Sequence, residues 1–322
     1  MSAPQFRPLG DVEYGMVEQV SPLIRRVIAE NPSKFTYKGT GTYIVGHDDV
    51  VVIDPGPVLD SHRDAVASAL EGERVQAILV THCHADHSPL AAWLADETGA
   101  PTFGFGPHPR PEPGTEPIEP GDDGDGGDGD DGDDGEVKIE ESTDHDFVPT
   151  NAVTDDELVV SSSTLTMRAV HTPGHTSNHM CYSLAEESTL FTGDHVMGWS
   201  TTVVSPPDGD MAAYIESLRK VAARDDATLW PTHGPSRDDG REFVEALIEH
   251  RLRRETSVLA AVRDGRTLIA DIVALLYADV RKELHKPAGR SVWAHLTKLV
   301  AEGLIEVEGS SMPTLDATYR AV

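Results

Sequence analysis

The sequence predicts an α/β protein with two β-rich halves inside, helices outside, and a mainly helical tail. Three observations predict it. Short apolar runs closed by Gly or Pro turns recur from about Thr40 to Gly104 and again from about Glu157 to His233. Stretches with apolar residues at helical spacing flank them. The last 60 residues then lose the strand pattern and read as helices.

Residues 1–38 form a lead-in whose one structured stretch, 21–28, suits strand or helix. Segments 59–70 and 89–96 read as helices around the strand-like run Gln76-Ala77-Ile78-Leu79-Val80. Three later apolar runs, 164–170, 188–192 and 227–230, each end in a Gly or Pro turn followed by a ligand-type residue. Asp210 is placed to cap a helix over 211–218. Residues 241–262 keep roughly the 3.6 period through Phe243, Leu247, Ile248, Leu252, Val258 and Leu259 and predict one long helix. Segments 267–277 and 291–305 predict two more helices and a following strand. The chain divides on this reading into a domain over 1–240, with an insertion at about 107–148, and a tail over 241–322 that begins with a linker helix.

Charge is unevenly spread. The net formal charge is −29 over 322 residues, and residues 112–146 hold 16 acidic side chains against one basic one. Gly-Asp repetition over 121–132 has nothing apolar to bury, which predicts a disordered acidic loop. Calcium binding by that repeat is the alternative, but the large apolar residues of the calcium nonapeptide are absent. An acidic, Lys-poor chain of this kind suits a salt-loving cytoplasm, where ions screen self-repulsion. No apolar run approaches a membrane span, and the N-terminus has no signal-peptide pattern. Two cysteines are too few for a disulfide framework, so the expected location is cytoplasmic. Cys83 reads as a small core residue.

The run Thr81-His82-Cys83-His84-Ala85-Asp86-His87 places four potential metal ligands within six residues. On an extended segment His82 and His84 point the same way, and the chain turns at Asp86 and His87, so the two pairs can serve adjacent ions. A lone His would more often be a satisfied or solvent-facing one; this spacing of several ligand types argues otherwise. His175, Asp194 and His233, each after a strand-like run, supply what the cluster lacks.

With these residues the chain resembles the metallo-β-lactamase superfamily, in its glyoxalase-II and ribonuclease-like branch. The resemblance implies a four-layer αββα sandwich, with residues 39–46 and 50–56 as paired N-terminal strands. It implies two metal ions, zinc in first place with iron or manganese as substitutes. His82, His84 and His175 would hold one, Asp86, His87 and His233 the other, and Asp194 would bridge. Asp54 is expected to support the site rather than to ligate. Lactamases of the same superfamily usually lack a His after the motif Asp and use Cys where this chain has Asp194, which argues against antibiotic hydrolysis. The stretch His295-Leu296-Thr297-Lys298-Leu299-Val300-Ala301-Glu302-Gly303-Leu304-Ile305 resembles the second helix and wing of a winged-helix domain. Sandwich plus tail together resemble the beta-lactamase-like protein 2 group.

Such a centre implies a hydrolase whose nucleophile is a hydroxide shared by two zinc ions. Asp86 would orient it, and His179 and His195 would support the ligands, with His179 a candidate proton donor to the leaving group; for each the alternative is a hydrogen-bonded part of the fold. The expected substrate is a thioester or related small ester. A single-strand endoribonuclease is the alternative, favoured by known members of the group and opposed by the −29 charge. Local basic clusters at 250–254 and 281–282 read equally well as solvated helix faces. A metal-sensing DNA-binding regulator ranks third, and the tail leaves room for a homodimer.

Overall fold

A computed structural model describes residues 3–110, 142–278 and 285–322. The first sheet contains β1 (Val17–Gln19), β2 (Ile24–Ile28), β3 (Gly41–His47), β4 (Asp49–Ile53), β5 (Arg74–Leu79), β6 (Thr102–Gly104) and β7 (Asn151–Ala152), in that order from edge to edge. Neighbours β1 to β4 are antiparallel, and β4 to β7 are parallel. Helices α1 (Asp60–Ala69) and α2 (Leu90–Thr98) make the first two parallel crossovers. The second sheet runs β8 (Leu158–Ser161), β9 (Thr166–His171), β10 (Met180–Leu184), β11 (Thr189–Gly193) and β12 (Thr228–Pro231). Only its last pair is parallel, joined through α3 (Met211–Ala222).

The alternation of side chains explains the four layers. On β3, β4 and β5, Tyr43, Val45, Val51, Ile53, Ala77 and Leu79 face the second sheet and meet Met167, Ala169, Met180, Tyr182 and Phe191. Their neighbours Ile44, Val50, Val52 and Ile78 turn outward against Val66 of α1 and Leu94 of α2. Both faces are therefore buried, which is why these strands read as continuous apolar runs. On the other side Val170, Cys181, Leu190 and Leu229 pack under Leu218 of α3 and Phe243, Val244 and Leu247 of α4 (Gly240–Arg263). The Asp210 side chain accepts from Ala213 N at 2.9 Å and caps α3, as its sequence position predicts.

The tail contains α5 (Ile269–Leu276), α6 (His285–Ala301) and the hairpin pair β13 (Ile305–Val307) and β14 (Tyr319–Ala321). Its core gathers Ile272, Val292, Leu296, Leu299 and Tyr319 with Val258, Ala261 and Val262 of α4. One helix thus contributes its first turns to the sandwich and its last turns to the tail. Strands β1 and β7 were not anticipated, because every residue in them is exposed and no apolar alternation marks them. The Gly-Asp repeat, with its calcium alternative, and the Arg281-Lys282 cluster lie outside the described residues. No described helix is long and apolar enough to cross a membrane.

Candidate metal centre

All seven predicted ligands come together where strands of both sheets end. His82, His84, Asp86 and His87 follow β5; His175 follows β9; Asp194 follows β11; His233 follows β12. His82, His84, His175 and Asp194 form one group and Asp86, His87 and His233 another, each with ligand atoms within 4.8 Å of one another. Strand ends at a rigid sheet edge hold such atoms in place with little freedom left to lose.

Hydrogen bonds on the far side of each ring decide which nitrogen faces inward. Thr81 Oγ1 donates to Asp54 Oδ2 at 2.8 Å, so toward His82 Nδ1, 3.0 Å away, it accepts. His175 Nδ1 donates to the Val203 carbonyl at 2.6 Å. His82 Nε2 and His175 Nε2 then present lone pairs, 2.9 and 3.1 Å from His84 Nδ1. Three imidazole nitrogens crowd one point, and a cation there relieves their mutual repulsion. In the second group His87 Nδ1 donates to Asp54 Oδ2 at 2.9 Å and His233 Nδ1 to the Gly39 carbonyl at 3.2 Å. Their Nε2 atoms each lie 3.3 Å from Asp86 Oδ2, which also accepts from Thr40 Oγ1 at 2.7 Å. Asp194 Oδ1 lies 3.7 Å from His87 Nε2 and 3.4 Å from His233 Nε2. His87 Nε2 and Asp194 Oδ1 are buried without a hydrogen-bond partner among the described residues.

The electrostatics differ between the groups. Burial, then the neighbouring rings, holds His82 well below the usual histidine value, and His84 falls to about 3. Burial also lowers His175, against the pull of Asp194. In the second group burial opposes charge and loses. Asp194 and Asp86 lift His233 to about 10, and Asp86, Asp194 and Asp54 hold His87 well above its usual range. Desolvation would raise Asp86 and Asp194; the His87 and His233 rings keep both carboxyls well below it. The same carboxylates that favour a proton on these two rings would favour a divalent cation between them. Imidazole and carboxylate donors in this arrangement fit Zn²⁺ and suit iron or manganese as well.

His179 lies beside the ligands, as its sequence position predicts. Its Nε2 accepts from the Asp194 amide at 3.2 Å, and its Nδ1 lies 2.9 Å from Thr172 Oγ1. The ring is fully buried, and burial, then His195 and His175, holds it neutral. With both nitrogens engaged, the ring seats the Asp194 amide. Gly193, at φ +51°, allows this, because a Cβ there would meet His179 Nε2 at 2.7 Å and Thr81 Cβ at 2.9 Å. His195 is also sealed and packs edge-on against Tyr214. Sequence reasoning missed the hydroxyls of Thr40, Thr81 and Thr232 and the carbonyls of Gly39 and Val203. Their partners lie up to 194 residues away, and hydroxyls and carbonyls carry no pattern of their own.

Comparison with known proteins agrees with this geometry. The model of the metallo-beta-lactamase superfamily matches residues 38–233, and that of the beta-lactamase associated winged helix domain matches 269–312. A beta-lactamase-like protein 2 homolog from Caenorhabditis elegans is 26% identical over 90% of this chain and 88% of its own length. An atrochrysone carboxyl ACP thioesterase from Paecilomyces divaricatus is 31% identical over 82% of this chain and 73% of its own. Among solved structures, a beta-lactamase domain protein from Burkholderia ambifaria superimposes with a TM-score of 0.74 at 20% identity, covering 98% of this chain and 97% of its own. With sandwich, paired ligand groups and tail in register with these matches, the chain belongs to the metallo-beta-lactamase superfamily and carries its associated winged-helix domain.

Proposed function

We propose that this protein is a hydrolase of thioesters, or of closely related small esters, that works with two divalent cations, zinc by preference. The observation that carries the reading is the convergence of seven donors on two adjacent points, four of their rings turned inward by far-side hydrogen bonds. His82, His84, His175 and Asp194 are assigned to one ion, Asp86, His87 and His233 to the other, with Asp194 between them. When bound, such a pair would supply Lewis acidity and lower the pKa of a bound water to about 7.

The chain's own residues do the rest. Asp86, held by Thr40 Oγ1, offers a fixed acceptor beside the reacting water. Asp86, His87, His82 and His233 are at most 3% exposed, whereas His84 is half-buried and the His175 and Asp194 side chains keep 9% and 12% of their surface. Substrate therefore approaches from the His84–His175 side, and the opposite wall keeps bulk water out. A relative named as an acyl-carrier-protein thioesterase, 31% identical, supports the substrate class. The net charge of −29 opposes a polyanionic substrate.

The test is a panel of acyl thioesters, small esters, single-stranded RNA and duplex DNA, run with zinc-loaded protein and His84→Ala. Thioester turnover that drops at least roughly a hundredfold in the variant is expected. RNA cleavage lost in the same variant, with thioesters untouched, would replace this reading by the endoribonuclease one. Tight binding to duplex DNA without turnover of any ester would replace it by the regulator.

A further inference from the structure

We infer that Arg251, on the helix shared with the winged-helix tail, is a positioning residue for the metal centre. It acts through the dipeptide Thr202-Val203. The inference rests on the ligand assignment above but not on the identity of the substrate.

The segment from His195 to Asp210 joins β11 to α3 without regular structure, so its shape depends on what grips it. Two adjacent residues of this segment hold two assigned ligands. Thr202 Oγ1 donates to the Asp194 carbonyl at 2.7 Å, and the Val203 carbonyl accepts from His175 Nδ1 at 2.6 Å. Arg251 holds the dipeptide in turn, its Nη2 donating to the Thr202 carbonyl. The Arg251 guanidinium is 5.4 Å from the centre of the Tyr214 ring, whose hydroxyl donates to the His195 carbonyl at 3.0 Å. Arg251 is 4% exposed. A buried guanidinium costs desolvation, which its bond to the Thr202 carbonyl and its contact with Tyr214 offset in part.

The same helix continues straight into the tail. One turn beyond Arg251, Glu255 bonds Lys298 at 2.9 Å and faces the buried His295 of α6 at 3.6 Å. Val258, Ala261 and Val262 follow in the tail's core. The tail thus fixes the helix from which Arg251 reaches the ligand loop. His175 and Asp194 belong to the four-residue group, whereas Asp86, His87 and His233 are braced by Thr40, Asp54 and Gly39. Loss of Arg251 should therefore weaken the ion held by His82, His84 and His175 more than the other, which shares only Asp194 with it.

The experiment uses the full chain, with Arg251→Met, Arg251→Lys, and the exposed Arg253→Met as control. Zinc is titrated against a chromophoric chelator, and cobalt(II) spectra report the geometry of each bound ion. Arg251→Met is expected to bind one zinc about 10- to 100-fold more weakly, with the second weakened clearly less and one set of cobalt bands shifted more than the other. Arg251→Lys, which keeps charge and stem but not the planar fork, should fall between. Arg253→Met should match the wild type. Two unaltered zinc affinities in Arg251→Met overturn the inference, as does equal weakening of both ions. Should Arg251→Met not fold, the same two results in Arg251→Lys decide it. Failure of the wild type to hydrolyse thioesters while these metal shifts appear would sink the proposed substrate and leave this inference standing.

Discussion

His87 Nδ1 donates to Asp54 Oδ2 at 2.9 Å, and both side chains are sealed from solvent. Asp54 also accepts from Thr81 N and Thr81 Oγ1 at 2.8 Å each and from Thr232 Oγ1 at 3.2 Å. One carboxylate at the end of β4 thus ties down the ends of β5 and β12, the strands that deliver five of the seven ligands. Its own backbone sits at φ +49°, a conformation that such a set of bonds sustains.

Asp54→Asn is expected to keep the packing and lose the acceptor pattern. An amide offers one acceptor oxygen where four donors converge. Zinc affinity of the Asp86, His87 and His233 group should fall about 10- to 100-fold, and stability should drop by about 1–3 kcal/mol. Zinc titration and urea denaturation check both numbers; wild-type affinity in the variant would remove Asp54 from the site's support.

Gly174→Ala tests how tightly the His175 loop is seated on α3. At φ +138°, a Cβ on residue 174 would lie 2.3 Å from Tyr214 Cα, so loop or helix has to move. The expected outcome is a loss of about 2 kcal/mol or more together with weaker zinc binding by the His175 group. Thermal melting with and without zinc reads both effects, and a variant as stable as the parent would show that the approach is not tight.

Stability should fall on mild acidification, with His62 as one cause. The ring is 2% exposed and bonds Thr42 Oγ1 and the Pro55 carbonyl; burial lowers its pKa to about 4, against the small lift of that carbonyl. An unfolded chain takes up the proton near pH 6.5, the folded one only near 4. Stability therefore declines as pH drops from 6.5 to about 4, by at most about 3 kcal/mol for this group, and flattens below. Urea denaturation at pH 7, 5.5 and 4.5 should show a shallower decline in His62→Gln than in the wild type.

The charge of −29 predicts a stability that rises with salt. Melting temperature should climb between low and molar KCl as self-repulsion is screened. A flat response would mean that the acidic side chains are too far apart to repel.

The ligand set was legible because metal chemistry demands a few residue types at tight spacing, and four of them fall between His82 and His87. The sandwich was legible because strands buried on both faces must be apolar throughout, as Val50 to Ile53 and Ala77 to Val80 are. The acceptor that fixes His175 was not, nor was the ring that Asp54, expected as a support, would bond, nor the amide that His179 would meet. Sequence spacing cannot report which nitrogen of a ring is engaged, or that Asp194 borrows an imidazole 15 residues upstream to seat its own amide. Local chemistry named the residues that gather into the two donor groups. Only the closing of two sheets against each other decided which atoms of those residues face it, because those orientations depend on hydrogen bonds between segments that meet nowhere but in the folded chain.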